Sequence, residues 1–167
     1  MEPRSGCPIN AAVEVFGDRW SLLVLRDVMF GDRRYFRVLL TGSAEGIASN
    51  ILADRLVRLV DAGILTRGTA ARGQRARYSL TEAGIRTLPI ICALGDWGLD
   101  WRTGSTELRS RQQLMRDEGA AFLEELMDEL RVRHLGAPPT PRDGPGPFER
   151  LDAARAAAAE QDRIDQR

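Results

Sequence analysis

The chain has 167 residues, 43% of them hydrophobic, with 24 basic and 24 acidic side chains and a formal net charge of zero. That is enough for one buried core with an accessory segment and no covalent staples. Two cysteines, Cys7 and Cys92, exclude a disulfide framework and suit a reduced, cytoplasmic setting, and the N-terminus MEPRSGCPIN has no apolar signal core.

The neutral average hides a split. Residues 1–102 carry 14 Arg against 11 acids, and residues 103–167 carry 10 Arg against 13 acids. Within 47–86 there are 7 Arg and 3 acids. A basic stretch beside an acidic one fits a nucleic-acid-facing module with a solvated extension. All of the basic residues are Arg, for which genome base composition is the plain explanation. Arg nonetheless makes bidentate contacts with phosphate and guanine that Lys cannot.

Ile9, Ala12, Val13 and Phe16 recur at helical spacing, with Pro8 at a first helical position and Gly17 at the end. Asp18 can cap the next helix, 19–30, which is apolar nearly all round and should be central. Gly31-Asp32 breaks it. Residues 33–40, RRYFRVLL, form a short helix with a basic entrance, and TGSAEG (41–46) is a turn. Residues 47–62 form a helix with Leu52, Leu56, Leu59 and Val60 as its core stripe, stopped by Gly63.

The period then changes from 3.6 to 2. Residues 64–67 and 77–80 are short strands joined by the basic hairpin tip TAARGQRA. Thr81 can cap a helix over about 82–101, which Pro89 should kink. Gly95 and Gly98 leave a bare strip there, either for close approach of another helix or for flexibility. Residues 106–135 are helical again, divisible at Gly119-Ala120. Residues 137–147 are a Pro/Gly linker, and 148–167 has helical propensity but little to bury, so a mobile or weakly helical tail is expected.

This order defines the expected fold class: mainly α with a small β-hairpin wing, a winged helix-turn-helix plus a C-terminal helical extension. Residues 1–102 would be the DNA-binding and dimerisation domain and 103–136 the accessory helices. The helix at 47–62 would enter the major groove, with Ser49 and Asn50 near its N-terminus. Asn50 can pair bidentately with adenine, and Ser49 with phosphate or a base. Arg58 lies on the same exposed side. Asp54 would repel phosphate, so it needs a cytosine amino group or a neighbouring Arg. Arg55 can reach DNA or lock the helix through an ion pair. Arg33, Arg34 and Arg37 at the entrance of the preceding helix, and Arg72, Arg75 and Arg77 in the wing, are the phosphate-binding candidates.

Four stretches resemble the HxlR-type regulators, a branch of the winged helix-turn-helix transcription factors: CPINAAVEVFGDRW (7–20), FGDRRYFRVL (30–39), EGIASNILADRLVRLVDAGIL (45–65) and RGQRARYSLTEAG (72–84). The resemblance covers about residues 7–101. It implies a homodimer on double-stranded operator DNA, joined through the first helix and the helix at 82–101. It also implies that Cys7 is a candidate redox sensor, whose physical basis would be a thiolate at a helix N-terminus. The alternative for Cys7 is a small residue packed at the dimer seam, and an oxidant or small-molecule effector follows only from the resemblance. Arg77 and Val38 depart from the family, which often has Glu at both. The first adds charge to the wing and the second removes an ion pair.

No enzyme is expected. His134 has no Cys or carboxylate at metal-ligand spacing, and there is no phosphate loop and no nucleophile–base arrangement. No cofactor, metal or membrane is expected either. The rival reading is a winged-helix protein-interaction module without DNA. Convergence of Arg33, Arg34, Arg37, Arg58, Arg72 and Arg75 on one side would favour DNA, and scattering or pairing with acids would favour the rival.

Overall fold

The computed structural model describes residues 5–69 and 75–165. Its elements are α1 (Pro8–Phe16), α2 (Ser21–Gly31), α3 (Phe36–Gly42), α4 (Ser49–Asp61), β1 (Leu65–Arg67), β2 (Tyr78–Leu80), α5 (Glu82–Ile85), α6 (Leu88–Trp101), α7 (Thr106–Leu135) and α8 (Pro147–Asp165). They form a mainly helical chain with a small antiparallel hairpin, as the periodicity predicts. The chain divides into two compact units, Met1–Ile85 and Arg86–Arg167. α6 lies in the second of these units.

In the first unit, α2 contributes Val24, Leu25, Val28 and Met29 to a core completed by Leu39, Leu52, Leu56, Leu59 and Leu80. Asp18 closes the turn before α2 by accepting hydrogen bonds from Trp20 N (2.7 Å) and Ser21 N (3.0 Å), whereas the N-cap position of α2 itself falls to Trp20 and carries no side-chain cap. α4 closes as a Schellman motif. Gly63 N donates to Val60 O and Ile64 N to Leu59 O, both at 2.9 Å, and Gly63 takes φ +71°, which glycine adopts without steric cost.

β1 and β2 pair with Leu65 opposite Leu80, Thr66 opposite Ser79 and Arg67 opposite Tyr78. Period-2 patterning did not reveal the next partner. Residues 34–35 run along the outside of β2, with a Tyr35–Arg77 bridge and Tyr78 N donating to Arg34 O at 2.7 Å. Arg34 also turns inward, donating from Nε to Tyr78 O (3.1 Å) and from Nη2 to Ser79 Oγ. Thr81 caps α5 by accepting from Gly84 N at 3.0 Å.

The continuous helix expected over 82–101 is two helices. α5 stops at Ile85, and Pro89 stands in the first turn of α6. A through-going helix would need an N–H on Pro89 to reach the carbonyl of Ile85, and proline has none. In the first turn that donor is not needed.

In the second unit, α7 carries α6 on one part of its length and α8 along another. Gln112 Nε2 donates to Cys92 O (3.0 Å) and Asp96 Oδ1 (2.9 Å), and Arg116 Nη1 reaches Asp100 Oδ1 at 2.8 Å. A Cβ at Gly95 would lie 2.2 Å from Gln112 Oε1, whereas nothing lies within 4 Å of one at Gly98. The helix that uses the bare strip at Gly95 is thus α7 of the same chain. α7 breaks at Gly119 (φ 72°, ψ −155°), as expected.

The tail is a correction. Instead of a mobile or weakly helical end, Pro147–Asp165 is a docked helix with Phe148 and Leu151 buried. α8 packs along α7, where Phe122, Leu126, Met127 and Leu130 are buried as well. Arginine stems extend the seal: the Arg150 guanidinium lies 4.6 Å over the Phe122 ring and that of Arg133 lies 4.0 Å over Phe148. Arg155–Glu107 (3.0 Å) and Arg150–Glu118 pairs add charge register.

Candidate nucleic-acid interface

α3, the turn 43–48 and α4 form the helix-turn-helix. Its turn is tied to α2 by Arg26, which donates to both carboxylate oxygens of Glu45 at 2.7 and 2.8 Å. That bidentate pair holds the Glu45 carboxyl below the usual carboxylate range, against the opposing effect of burial. Asp27, buried beside it, takes Arg26 and also Arg33 Nη1 at 3.0 Å.

The outward side of α4 presents Ser49, Asn50, Asp54, Val57 and Arg58, all exposed. Arg55 makes the ion pairs that its locking alternative requires. Its side chain is only 18% exposed, and it pairs with Asp18 Oδ2 and Asp54 Oδ2, both at 3.1 Å. Asp54 also lies 3.0 Å from Arg58 Nε. A neighbouring arginine therefore accounts for Asp54, twice over. Burial pushes the Asp18 carboxyl up, but hydrogen bonds from Ser21 and from the Trp20 and Ser21 amides, with the Arg55 charge, outweigh it and leave it lowered.

The phosphate-binding candidates separate. Arg34 is corrected: at 3% exposure it is spent on the hairpin, and burial pushes its pKa down. Arg33 is half-buried against Asp27. Arg37, Arg75 and Arg77 are exposed, and among the described residues no carboxylate pairs with them. Arg72 lies outside the described residues. The set of six neither converges whole nor scatters whole: three of its members pair with acids or turn inward, and two stay open.

Sequence reasoning missed two positions. Asp18 was legible as a cap but not as the anchor of Arg55, because the contact spans 37 residues. Val57 is 58% exposed on an otherwise polar face, and its place opposite Leu52 and Leu59 on the helical wheel could have marked it. The two thiols differ sharply. Cys7 is exposed at the N-cap of α1. Cys92 is buried against Met115, and burial with the nearby Asp96 charge pushes it up to about 12. α1 buries none of its side chains, and on α6 Leu94, Trp97 and Trp101 are more than half exposed. Among the described residues no helix is long and apolar enough to cross a membrane, and no His/Cys/Asp/Glu cluster could hold a metal.

A helix-turn-helix followed by a two-stranded wing defines the winged-helix class of fold. The HxlR-like helix-turn-helix family model matches residues 15–106, and the chain belongs to that family, whose members are regulators and not enzymes. An HTH-type transcriptional regulator of Mycobacterium bovis is 30% identical over 146 residues, covering 84% of this chain and 88% of that one. That alignment must run well past residue 106, so the similarity includes part of the C-terminal extension. A regulator of Synechocystis is 34% identical over 96 residues, covering 57% of this chain and 70% of its own. Among solved structures, the transcription factor candidate PA1607 matches with TM-score 0.55 and 34% identity over 60% of this chain and 69% of its own. The redox regulator HypR in its oxidised form matches with TM-score 0.51 and 25% identity, over 59% of this chain and all of its own.

Proposed function

We propose that this regulator binds double-stranded DNA as a homodimer on an inverted repeat, with α4 in the major groove and the wing on flanking phosphates. The observation that carries the reading is the face of α4. Asn50 and Arg58 are exposed on it, and Asp54 is already matched by Arg55 and Arg58 rather than left to repel phosphate. Arg37, Arg75 and Arg77 supply open positive charge. The uncovered apolar faces of α1 and of α6 support dimerisation through these helices, since isolated monomers rarely leave two tryptophans more than half exposed on one helix. An intracellular, cytoplasmic place suits such a protein.

The test is selection of bound duplexes from a random pool, with affinity measured against salt. Two recognition helices roughly 34 Å apart should enrich inverted half-sites one helical turn apart. Three open arginines per protomer imply about six phosphate contacts per dimer. Log affinity should then fall with log salt at a slope near −5, roughly a thousandfold between 50 and 200 mM. Absence of enrichment, or a flat salt response, would favour the protein-interaction module, a reading that the inward turn of Arg33 and Arg34 supports. Light scattering that finds only monomer would remove the palindrome.

Cys7 is the proposed sensing thiol. It is exposed where Cys92 is buried, and HypR, a similar fold, is by name a redox regulator. A bridge to Cys92 is disfavoured by that burial, so a second Cys7 or a small thiol would be the partner.

A further inference from the structure

We infer that Arg58 reads a guanine base and that Asp54 is the positioning residue that aims it. The inference rests on α4 being the DNA-reading helix and goes beyond it to a base and to the device that selects it.

Four side chains run in series from the start of α2 to the outer face of α4. Asp18, itself fixed by the Trp20 and Ser21 amides, takes Arg55 Nη1 at 3.1 Å. Arg55, mostly buried, puts Nη2 3.1 Å from Asp54 Oδ2. The same oxygen lies 3.0 Å from Arg58 Nε. The Asp54 carboxylate therefore has a mostly buried cation behind it, which favours the position that faces Arg58. An ordinary exposed pair four residues apart has no such anchor and is worth only a few tenths of a kcal/mol.

The atom that Asp54 engages decides what Arg58 can do. A guanidinium presents two edges, Nε with one Nη, and the two Nη together. Nε is the Arg58 nitrogen nearest Asp54, in an ion pair by distance rather than a directed hydrogen bond, and this leaves the outer Nη donors available on a side chain that is 64% exposed. A guanine offers two acceptors, O6 and N7, side by side in the major groove, and the arginine fork matches them bidentately. Cytosine and adenine present an amino donor there and thymine only one acceptor beside its methyl, so none accepts both donors. Fixing the fork beforehand removes side-chain entropy that a free arginine would lose on binding. It also explains why a carboxylate stands on a surface that faces phosphate.

The experiment is selection from a random duplex pool with the full-length wild type, Arg58→Ala, Arg58→Lys and Asp54→Asn, each checked for an unchanged thermal midpoint. Wild type should demand G·C at one position in each half-site. Arg58→Ala should erase that preference alone, reducing discrimination there by roughly 5- to 100-fold, the equivalent of one bidentate pair. Arg58→Lys should not restore it. Asp54→Asn removes a negative charge and so should raise affinity for every duplex. If Asp54 positions Arg58, it should also relax the same base position. Higher affinity with an unchanged base preference would overturn the positioning role. An Arg58→Ala preference identical to wild type would overturn the guanine assignment while leaving the operator reading intact. A wild type that enriches no duplex would overturn both.

Discussion

Asp18→Ala tests whether the start of α2 and the recognition helix are held together by one carboxylate. Three kinds of contact disappear together. The amides of Trp20 and Ser21 lose their acceptor at 2.7 and 3.0 Å, equivalent to removing a helix cap, which costs about 1 kcal/mol. The Ser21 hydroxyl, almost fully buried, loses its acceptor as well. Arg55 loses one of its two carboxylates, and its Nε is already buried without a partner. Stranding a partly buried guanidinium in this way costs about 1 kcal/mol more, since Asp54 remains to it. The expected total is about 2–3 kcal/mol. Asp18→Asn separates the parts, because its amide oxygen still caps the turn while the charge is gone, and it should cost about 1 kcal/mol. Urea unfolding at neutral pH measures both, and a double-mutant cycle with Arg55→Ala isolates the coupling, expected near 1 kcal/mol. A loss below about 0.5 kcal/mol for Asp18→Ala would refute the reasoning. Equal losses for Ala and Asn would show that charge alone acts and the cap is idle.

Asp18 and Glu45 both have lowered carboxyl pKa values, so each stabilises the fold above its unfolded value, about 4, and that stability is lost as pH falls through the folded value. The urea midpoint should therefore be level from pH 7 to 5 and drop below about 4. A drop already complete at pH 5 would contradict the assignment. Phe148→Ala should cost about 3 kcal/mol by emptying the seam between α7 and α8. Amides of 148–165 should then exchange much faster, and unchanged exchange there would mean that Phe148 does not hold the helix down. A disulfide reagent should titrate Cys7 quickly in the native protein and Cys92 only after unfolding, because burial suppresses the Cys92 thiolate. Two fast equivalents would show that the α6–α7 contact opens readily.

The local elements were legible in the residues because their signals are local. The stripe of Leu52, Leu56 and Leu59, the stop at Gly63, the turn closed by Asp18, the cap at Thr81 and the break at Gly119 are each decided within a few positions by steric and hydrogen-bond rules. So were the change of period at Ile64 and, with the family motifs, the class of protein. What lay beyond reach was which charge meets which. Arg34 and Arg37 are three residues apart and look alike in sequence, yet one is buried against the carbonyl of Tyr78 and the other faces solvent. Arg55 found Asp18 across 37 residues of chain. The tail looked too poor in apolar residues to dock, because such a count omits the arginine stems that cover Phe122 and Phe148. A sequence carries the number and type of charges. Only the packed backbone sets their distances and their share of solvent, and Coulomb energy depends on both.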